Sequence, residues 1–376
     1  MHEGKSYVME TKSPIRIAQI MGKLWAGGVE SVVFNYYRKI DKEKFQFDFY
    51  YDEDSTVEPP KDLVELGARF IKVPAYQNVW KYMTTLHYYF KKNNYQIVHS
   101  HINTLSVIPL FVAKQCGVPI RIQHNHSVPG GPEFKRNALK NFLRLFSKTF
   151  STHYFACSEK AGRWMFGNKT FAQGKVFVMK NAIDFSEYEI VDYEKNQLKT
   201  KLNLQSSFVV GHVGRFTFAK NHEFLLEIFK NVLKLKPNAK LLLVGDGELR
   251  FKIEKKIREL GLTDKVIMVG KVTNPAKYYA IMDVLILPSI FEGLSMTTVE
   301  AQASKKNILV SEAVPQEAVI SNLCHYKSLN DSSASWAKAT INCVKKKGYF
   351  FTIQKDDYDI KKASNLLERK YLKLLS

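Results

Sequence analysis

Short apolar runs alternate with amphipathic stretches along this 376-residue chain. Ile15–Met21, Phe45–Tyr51, Phe70–Val73, Ile97–Ser100, Ile120–Gln123, Tyr154–Ala156 and Val176–Met179 are short, bounded, and rich in β-branched or aromatic residues. Each therefore reads as a strand. Helical periodicity fills most of the gaps, as in Ser31–Arg38. The alternation restarts at Phe208–Val213 and continues through Lys240–Val244, Val266–Val269, Val284–Leu287 and Asn307–Val310. Trp336–Lys347 and Asp359–Leu374 read as helices. Such repetition builds parallel sheets with helices on their faces, the α/β class. The chain is long for a single core, so two domains are expected. A polar tail covers 1–13, the first domain 14–186, a charged linker 187–200, the second domain 201–355 and a closing segment 356–376.

Charge narrows the partners. Lys and Arg number 56 against 36 Asp and Glu, a net charge of +20, which implies an anionic partner. There is no helix-turn-helix, zinc-finger or RNP pattern, so nucleic acid is not expected. No apolar run approaches the ~20 residues that span a bilayer. The opening MHEGKSYVMETKSP lacks a signal-peptide core, so a cytoplasmic location is expected. Between Lys135 and Phe150, cations at Arg136, Lys140, Arg144 and Lys148 are interleaved with Leu139, Phe142, Leu143, Leu145, Phe146 and Phe150. A basic amphipathic helix over 135–150 can lie on the anionic inner face of the plasma membrane. The alternative is a domain helix with its apolar side in the core.

Several polar groups invite a metal reading. Cys116, Cys157, Cys324 and Cys343 are widely spaced and contain no C-x-x-C, which fits buried thiols. Asp52-Glu53-Asp54 and Asp357-Tyr358-Asp359 are D-x-D matches that read as solvated loop charge. His99/His101 and His124/His126 have i, i+2 spacing at strand ends, which puts each pair on one strand face. No carboxylate stands in register with them, so no metal is expected.

The most informative stretch is Leu287–Ala303, LPSIFEGLSMTTVEAQA. It leaves an apolar strand, crosses a Pro-Ser turn and enters a helix. Glu292 and Glu300 are eight positions apart, a rise of about 12 Å if all eight steps are helical. That suits two grips on an elongated ligand. Between them Gly293, Leu294 and Ser295 lie near the helix start, where unpaired N–H groups and the dipole attract anions. In the turn after Phe208–Val213, Arg215 and Lys220 can converge on one diphosphate. Gly27-Gly28, after the first strand, is a second anion-approach element, or a turn that needs positive φ.

These residues resemble glycosyltransferase family 4, the retaining GT-B enzymes with an E-x7-E motif. Pro288, Ser289, Glu292, Gly293, Glu300 and Ala301 match its "PS-x-x-E-G" loop and "E-A" helix, and Gly214-Arg215 with Lys220-Asn221 matches its "G-R … K-N". Asn181-Ala182-Ile183-Asp184 is similar to the family's "N-G-I/V-D" turn, with Ala182 in place of glycine. Lys305-Lys306 stands where a glycine is usual. The resemblance implies two Rossmann-like domains with parallel sheets facing across a cleft, and a last helix that packs back on the first domain. It implies that Glu292 holds donor-sugar hydroxyls, Glu300 the nucleotide ribose, and Arg215 and Lys220 the diphosphate, with amides of Gly293, Leu294 and Ser295 beside it. Val272 would meet the base. Gly27 and Gly28 would face the diphosphate and acceptor. His124 would be the first-domain histidine near the sugar, with His126 as its competitor.

The activity implied is a retaining, metal-independent hexosyl transfer with no cofactor. The donor is a nucleotide diphosphate sugar, most often a UDP-sugar in this family. The acceptor is a lipid-linked or other saccharide in bacterial capsular or exopolysaccharide synthesis. Two other classes share the alternation: a GT-B-like sugar-nucleotide epimerase, and a non-catalytic scaffold subunit of a glycosyltransferase complex.

Overall fold

A computed structural model of the chain describes residues 13–25, 27–128, 134–272, 274–345 and 348–376. The first sheet contains β1 (Ile15–Gly22), β2 (Phe45–Asp52), β3 (Arg69–Val73), β4 (Ile97–Ser100), β5 (Ile120–Asn125), β6 (His153–Ala156) and β7 (Val176–Val178). Their order is β3-β2-β1-β4-β5-β6-β7. The second contains β8 (Phe208–Val213), β9 (Ala239–Val244), β10 (Val266–Gly270), β11 (Val284–Leu287), β12 (Asn307–Ser311) and β13 (Cys324–Lys327), in the order β10-β9-β8-β11-β12-β13. The paired strands run parallel in both sheets. Strand order reverses between β1 and β4 and again between β8 and β11. Loops diverge on either side of such a point and leave a crevice at the carboxyl ends of the strands.

Burial explains why the runs became strands. All eight residues of β2, FQFDFYYD, are buried, so both of its faces are covered. Its one charged interior residue, Asp48, is paired with Arg16 and accepts from Tyr95 Oη at 2.6 Å. In the second sheet the helix His222–Leu235 buries Leu225, Leu226, Ile228, Phe229 and Val232, the i, i+3, i+4, i+7 stripe of a core-facing helix. Burying each such side chain contributes ~1.5–3 kcal/mol.

By internal contacts the chain forms two compact units. One holds the described residues up to Asn125, then Leu145–Phe155 and Ser364–Ser376; the other holds His126–Arg144 and Ala156–Ala363. The last helix, Ile360–Leu375, thus ends in the first unit. There Glu368 Oε1 accepts from the Asp41 amide at 2.8 Å, and Tyr371 lies against Phe45 and Phe47.

Several expectations need correction. The stretch 187–200 is not a plain linker: a helix spans Asp192–Lys201, because Asp192 and Glu194 suit its first turn and Lys199 and Lys201 its last. The basic helix expected over 135–150 runs Phe134–Arg144 and then breaks into turns. The helix expected at Trp336–Lys347 is Ser333–Val344, capped by Ser332, whose side chain accepts from Ser335 N. Strand β13 was not foreseen, since CHYK is a half-buried edge with a polar residue in every pair. Asp52 is no solvated loop charge: it ends β2 and is 1% exposed. The polar tail, apart from Ser13, lies outside the described residues.

Candidate functional site

In the second unit the reversal between β8 and β11 gathers the motif residues. The turn after β8 is braced by the glycines that follow β9. Gly214 N donates to Val244 O at 3.0 Å and Phe216 N to Asp246 O at 3.0 Å. Gly245 has φ +140°, and a Cβ there would lie 2.0 Å from Gly214 O; one at Gly247 would lie 2.5 Å from Phe216 O. Only glycine permits this approach. Arg215 extends from the turn, its side chain half in solvent and 3.3 Å from Glu248 Oε2.

Lys220 ends the same turn and reaches across to the loop after β11. Its Nζ lies 2.7 Å from Glu292 Oε1, which also accepts from Ser289 Oγ at 2.6 Å. Ser289 is fully buried and its carbonyl accepts from Ser311 Oγ at 2.6 Å. Ile290 N donates to Ala219 O at 2.8 Å, which ties the two loops together. Lys220 and Glu292, which the sequence assigns to separate parts of a ligand, are thus an ion pair that neutralises both charges. Gly293 and Leu294 are half-buried, and Ser295 begins the helix Met296–Ala303 with no side-chain hydrogen bond to its amides. The first-turn amides are therefore not taken by a capping side chain. Only Met296–Glu300 of the Glu292-to-Glu300 interval is helical, so the 12 Å rise does not apply.

Glu300 sits one turn into that helix and is partly buried. Tyr279 Oη donates to its Oε2 at 2.7 Å, and Tyr188 is a second phenol partner. Burial raises the carboxyl above its ordinary value, while the phenols and Lys220 oppose the rise. Sequence reasoning missed both tyrosines. Tyr188 fell in the presumed linker, and Tyr279 sits in the short helix Ala276–Ile281, where a buried tyrosine looks like core. Val272 packs on the same core, just after Gly270 turns at φ +83°. Beneath the Lys220 turn, His212 Nδ1 donates to Ile286 O at 2.9 Å, and His222 lies edge-on to His212. Burial pushes His212 down to about 4 and His222 further, so both are neutral.

In the first unit the reversal lies between β1 and β4. The Glu30 carboxylate reaches back to the amides of Trp25 (2.9 Å) and Gly27 (3.0 Å), closing the start of the helix Gly28–Lys39. Gly27 has φ −92°, so positive φ is not what glycine supplies here. A Cβ on Gly27 would meet the Trp25 indole at 2.7 Å, whereas one on Gly28 would meet nothing within 4 Å. Positive φ belongs instead to Gly22, at +70°.

His124 lies in β5, fully buried against His99, His101 and Phe155. His99 Nε2 is 3.2 Å from His124 Nδ1, His99 Nδ1 2.7 Å from Tyr371 Oη, and His101 Nε2 2.8 Å from Gln19 Oε1. One nitrogen from each histidine lies within 4.8 Å of the others, as a metal cage would need. Both His99 nitrogens are engaged in hydrogen bonds, so the cluster is wired as a network. His126, beyond the end of β5, is pushed down to about 3 by burial. Near the β2 end, both Asp52 carboxylate oxygens are buried without a hydrogen bond, and burial pushes the group up to about 7.

On the basic helix, Leu139 and Phe142 are exposed, as are Leu145 and Phe146 in the turns beyond. Arg144 donates to Trp164 O at 3.1 Å and stacks on that indole. The Lys135 and Arg136 side chains lie outside the described residues. Among the described residues no helix is long and apolar enough to cross a membrane.

Comparison with known proteins gives two family matches: "Glycosyltransferase Family 4" over residues 26–187 and "Glycosyl transferases group 1" over residues 194–337. A Bacillus subtilis protein named as a glycosyltransferase, EpsF, is 29% identical over 86% of each chain. The Escherichia coli UDP-Gal:α-D-GlcNAc-diphosphoundecaprenol α-1,3-galactosyltransferase is 25% identical over 83% of each. Among solved structures, Anabaena HepE in complex with UDP-glucose aligns with a TM-score of 0.69 at 16% identity, covering 96% of this chain and 97% of that one. The paired parallel sheets are those of the GT-B fold.

Proposed function

The chain belongs to the glycosyltransferases, with a family 4 half followed by a group 1 half, and from that premise we propose a retaining, metal-independent hexosyltransferase using a UDP-sugar. It works in capsular or extracellular polysaccharide assembly, as does a Staphylococcus aureus relative. The Lys220–Glu292–Ser289 junction carries the reading, because it sets a cation, a carboxylate and an uncapped helix start around one turn.

Transfer leaves negative charge on the departing diphosphate. Arg215, Lys220 and the amides at Gly293–Ser295 form a fixed set of positive groups for that charge, and such preorganised electrostatics makes a metal ion unnecessary. Glu292 turns to the donor-sugar hydroxyls when Lys220 turns to phosphate. Glu300, steadied by Tyr279 and Tyr188, accepts from the ribose hydroxyls, and Val272 borders the base. In the first unit Gly28 leaves room for ligand oxygens at a helix start, and His124 meets the sugar and acceptor.

The acceptor is a lipid-linked saccharide, which the diphosphoundecaprenol acceptor of the E. coli relative supports. Leu139, Phe142, Leu145 and Phe146 enter the lipid interface on the cytoplasmic side while the neighbouring cations meet anionic headgroups. Sedimentation with phosphatidylglycerol vesicles tests this: wild type should pellet, and Phe142→Asp with Leu145→Asp should not. Turnover of a UDP-hexose onto a diphosphoundecaprenol-linked sugar in EDTA tests the chemistry. An anomeric configuration equal to the donor's, read by NMR, is expected. Inversion, or loss of turnover in EDTA, would overturn the mechanism.

A further inference from the structure

We infer that Tyr371 and His99 are positioning residues that fix the tautomer of His124, leaving its Nε2 as a hydrogen-bond donor. Five buried side chains of the first unit form one chain: His101, Gln19, Tyr371, His99 and His124. Its direction follows from what each atom can do. The Gln19 carbonyl Oε1 only accepts, so His101 donates to it from Nε2 at 2.8 Å. The Gln19 amide nitrogen is then the end that faces Tyr371, and it donates to the phenol oxygen at 3.5 Å. With its oxygen accepting, Tyr371 sends its own proton to the neighbour at 2.7 Å, His99 Nδ1. Burial holds the phenol far above its ordinary titration range, so the proton stays available at every working pH.

The rest is forced by imidazole chemistry. A neutral ring has one donor nitrogen and one acceptor nitrogen. His99 accepts at Nδ1, so its proton is on Nε2 and is donated to His124 Nδ1 at 3.2 Å. His124 accepts there and carries its own proton on Nε2. Gln19 decides the outcome, because reversing its amide would reverse every later link. This also gives the last helix a chemical role, since Tyr371 is the link it contributes.

For the proposed activity, on whose placement of His124 this consequence rests, the histidine is a donor to a sugar or acceptor oxygen. It cannot serve as the base that takes the acceptor's proton.

The test is side-chain 15N–1H correlation on the full chain labelled at histidine, with His124 identified by the signals lost in His124→Asn. Wild type should show the Nε2–H form. Tyr371→Phe should move His124 toward the Nδ1–H form and lower kcat about tenfold, the size of one net hydrogen bond, with the donor KM unchanged. His99→Gln, whose amide can accept from Tyr371 and donate to His124, should keep most of the rate; His99→Leu should not. Should Tyr371→Phe fail to fold, Gln19→Glu serves instead: its two accepting oxygens should draw the phenol proton and reverse the chain. Wild-type His124 in the Nδ1–H form, or a tautomer indifferent to both substitutions, would overturn the inference. Full turnover by His124→Asn alongside the stated tautomer shifts would uphold the chain and remove His124 from the sugar site.

Discussion

Lys220 and Glu292 are each other's counterion, and in the proposed mechanism the lysine leaves the carboxylate for the donor diphosphate. The pair is 2.7 Å apart, with side-chain exposures of 17% and 8%. Removing one member of a fully buried pair costs ~3–5 kcal/mol. The residual exposure and the Ser289 hydroxyl on Glu292 bring this to roughly 2–3 kcal/mol for Lys220→Met. In the proposed site the same change also removes a charge-assisted bond to phosphate, ~1.5–3 kcal/mol, or about 10- to 150-fold in UDP affinity. Glu292→Gln acts differently. Lys220 keeps some access to water, so the stability loss should be about 1 kcal/mol, and UDP no longer competes with a carboxylate for the ammonium. UDP should then bind as tightly as to wild type or up to about tenfold more tightly, while preference for UDP-sugar over UDP shrinks. Urea unfolding and titration calorimetry on the two variants measure both quantities. If Glu292→Gln weakens UDP as much as Lys220→Met does, the lysine is not exchanged between carboxylate and diphosphate.

Asp52 predicts a pH dependence. Its folded value of about 7 lies above the ordinary 3.8, so its contribution to stability is fully present below the ordinary value and lost as pH rises through 7. About three units correspond to up to ~4 kcal/mol. Wild type should lose that much relative to Asp52→Asn between pH 4 and 8 in urea unfolding; a constant difference would contradict it. Gly245→Ala should lower both stability and UDP binding, because its Cβ would collide with Gly214 O in the turn that carries Arg215. UDP affinity unchanged in a folded Gly245→Ala protein would show that the turn does not hold the diphosphate. Tyr279→Phe should weaken UDP about threefold to tenfold by loosening Glu300, a loss of one net hydrogen bond. Unaltered UDP affinity in calorimetry would count against that role.

Much of the fold was legible because strands buried on both faces must be written as continuous apolar runs, as β2 and β11 are. Strand β13 was not, because an edge strand with a polar residue in each pair carries no such run. The loops after β8 and β11 stood out as motifs, Gly214-Arg215 with Lys220 and Pro288-Ser289 with Glu292. The glycines that brace the first of them, Gly245 and Gly247, did not, because their close approach to Gly214 and Phe216 exists only in the folded chain. What pairs with the charged residues could not be read. Glu292 finds Lys220, 72 positions away, and Glu300 finds tyrosines in two other elements. Asp52 misled for the opposite reason: a D-x-D beside a polar loop looks solvated, yet Asp52 closes a buried strand while Asp54 pairs with Lys23 at the surface. The Tyr371–His99 contact joins residues 272 positions apart and leaves no local signal at all.

The loops after β8 and β11 and the helix Met296–Ala303 are proposed to form one nucleotide-sugar site. Titration calorimetry of a panel of nucleotide sugars in EDTA, on wild type, Arg215→Ala and Glu300→Ala, tests it directly. Saturable binding of one nucleotide sugar to wild type, weakened at least about tenfold in both variants, is the predicted result. Binding that ignores both substitutions, or no binding by any member of the panel, would contradict it.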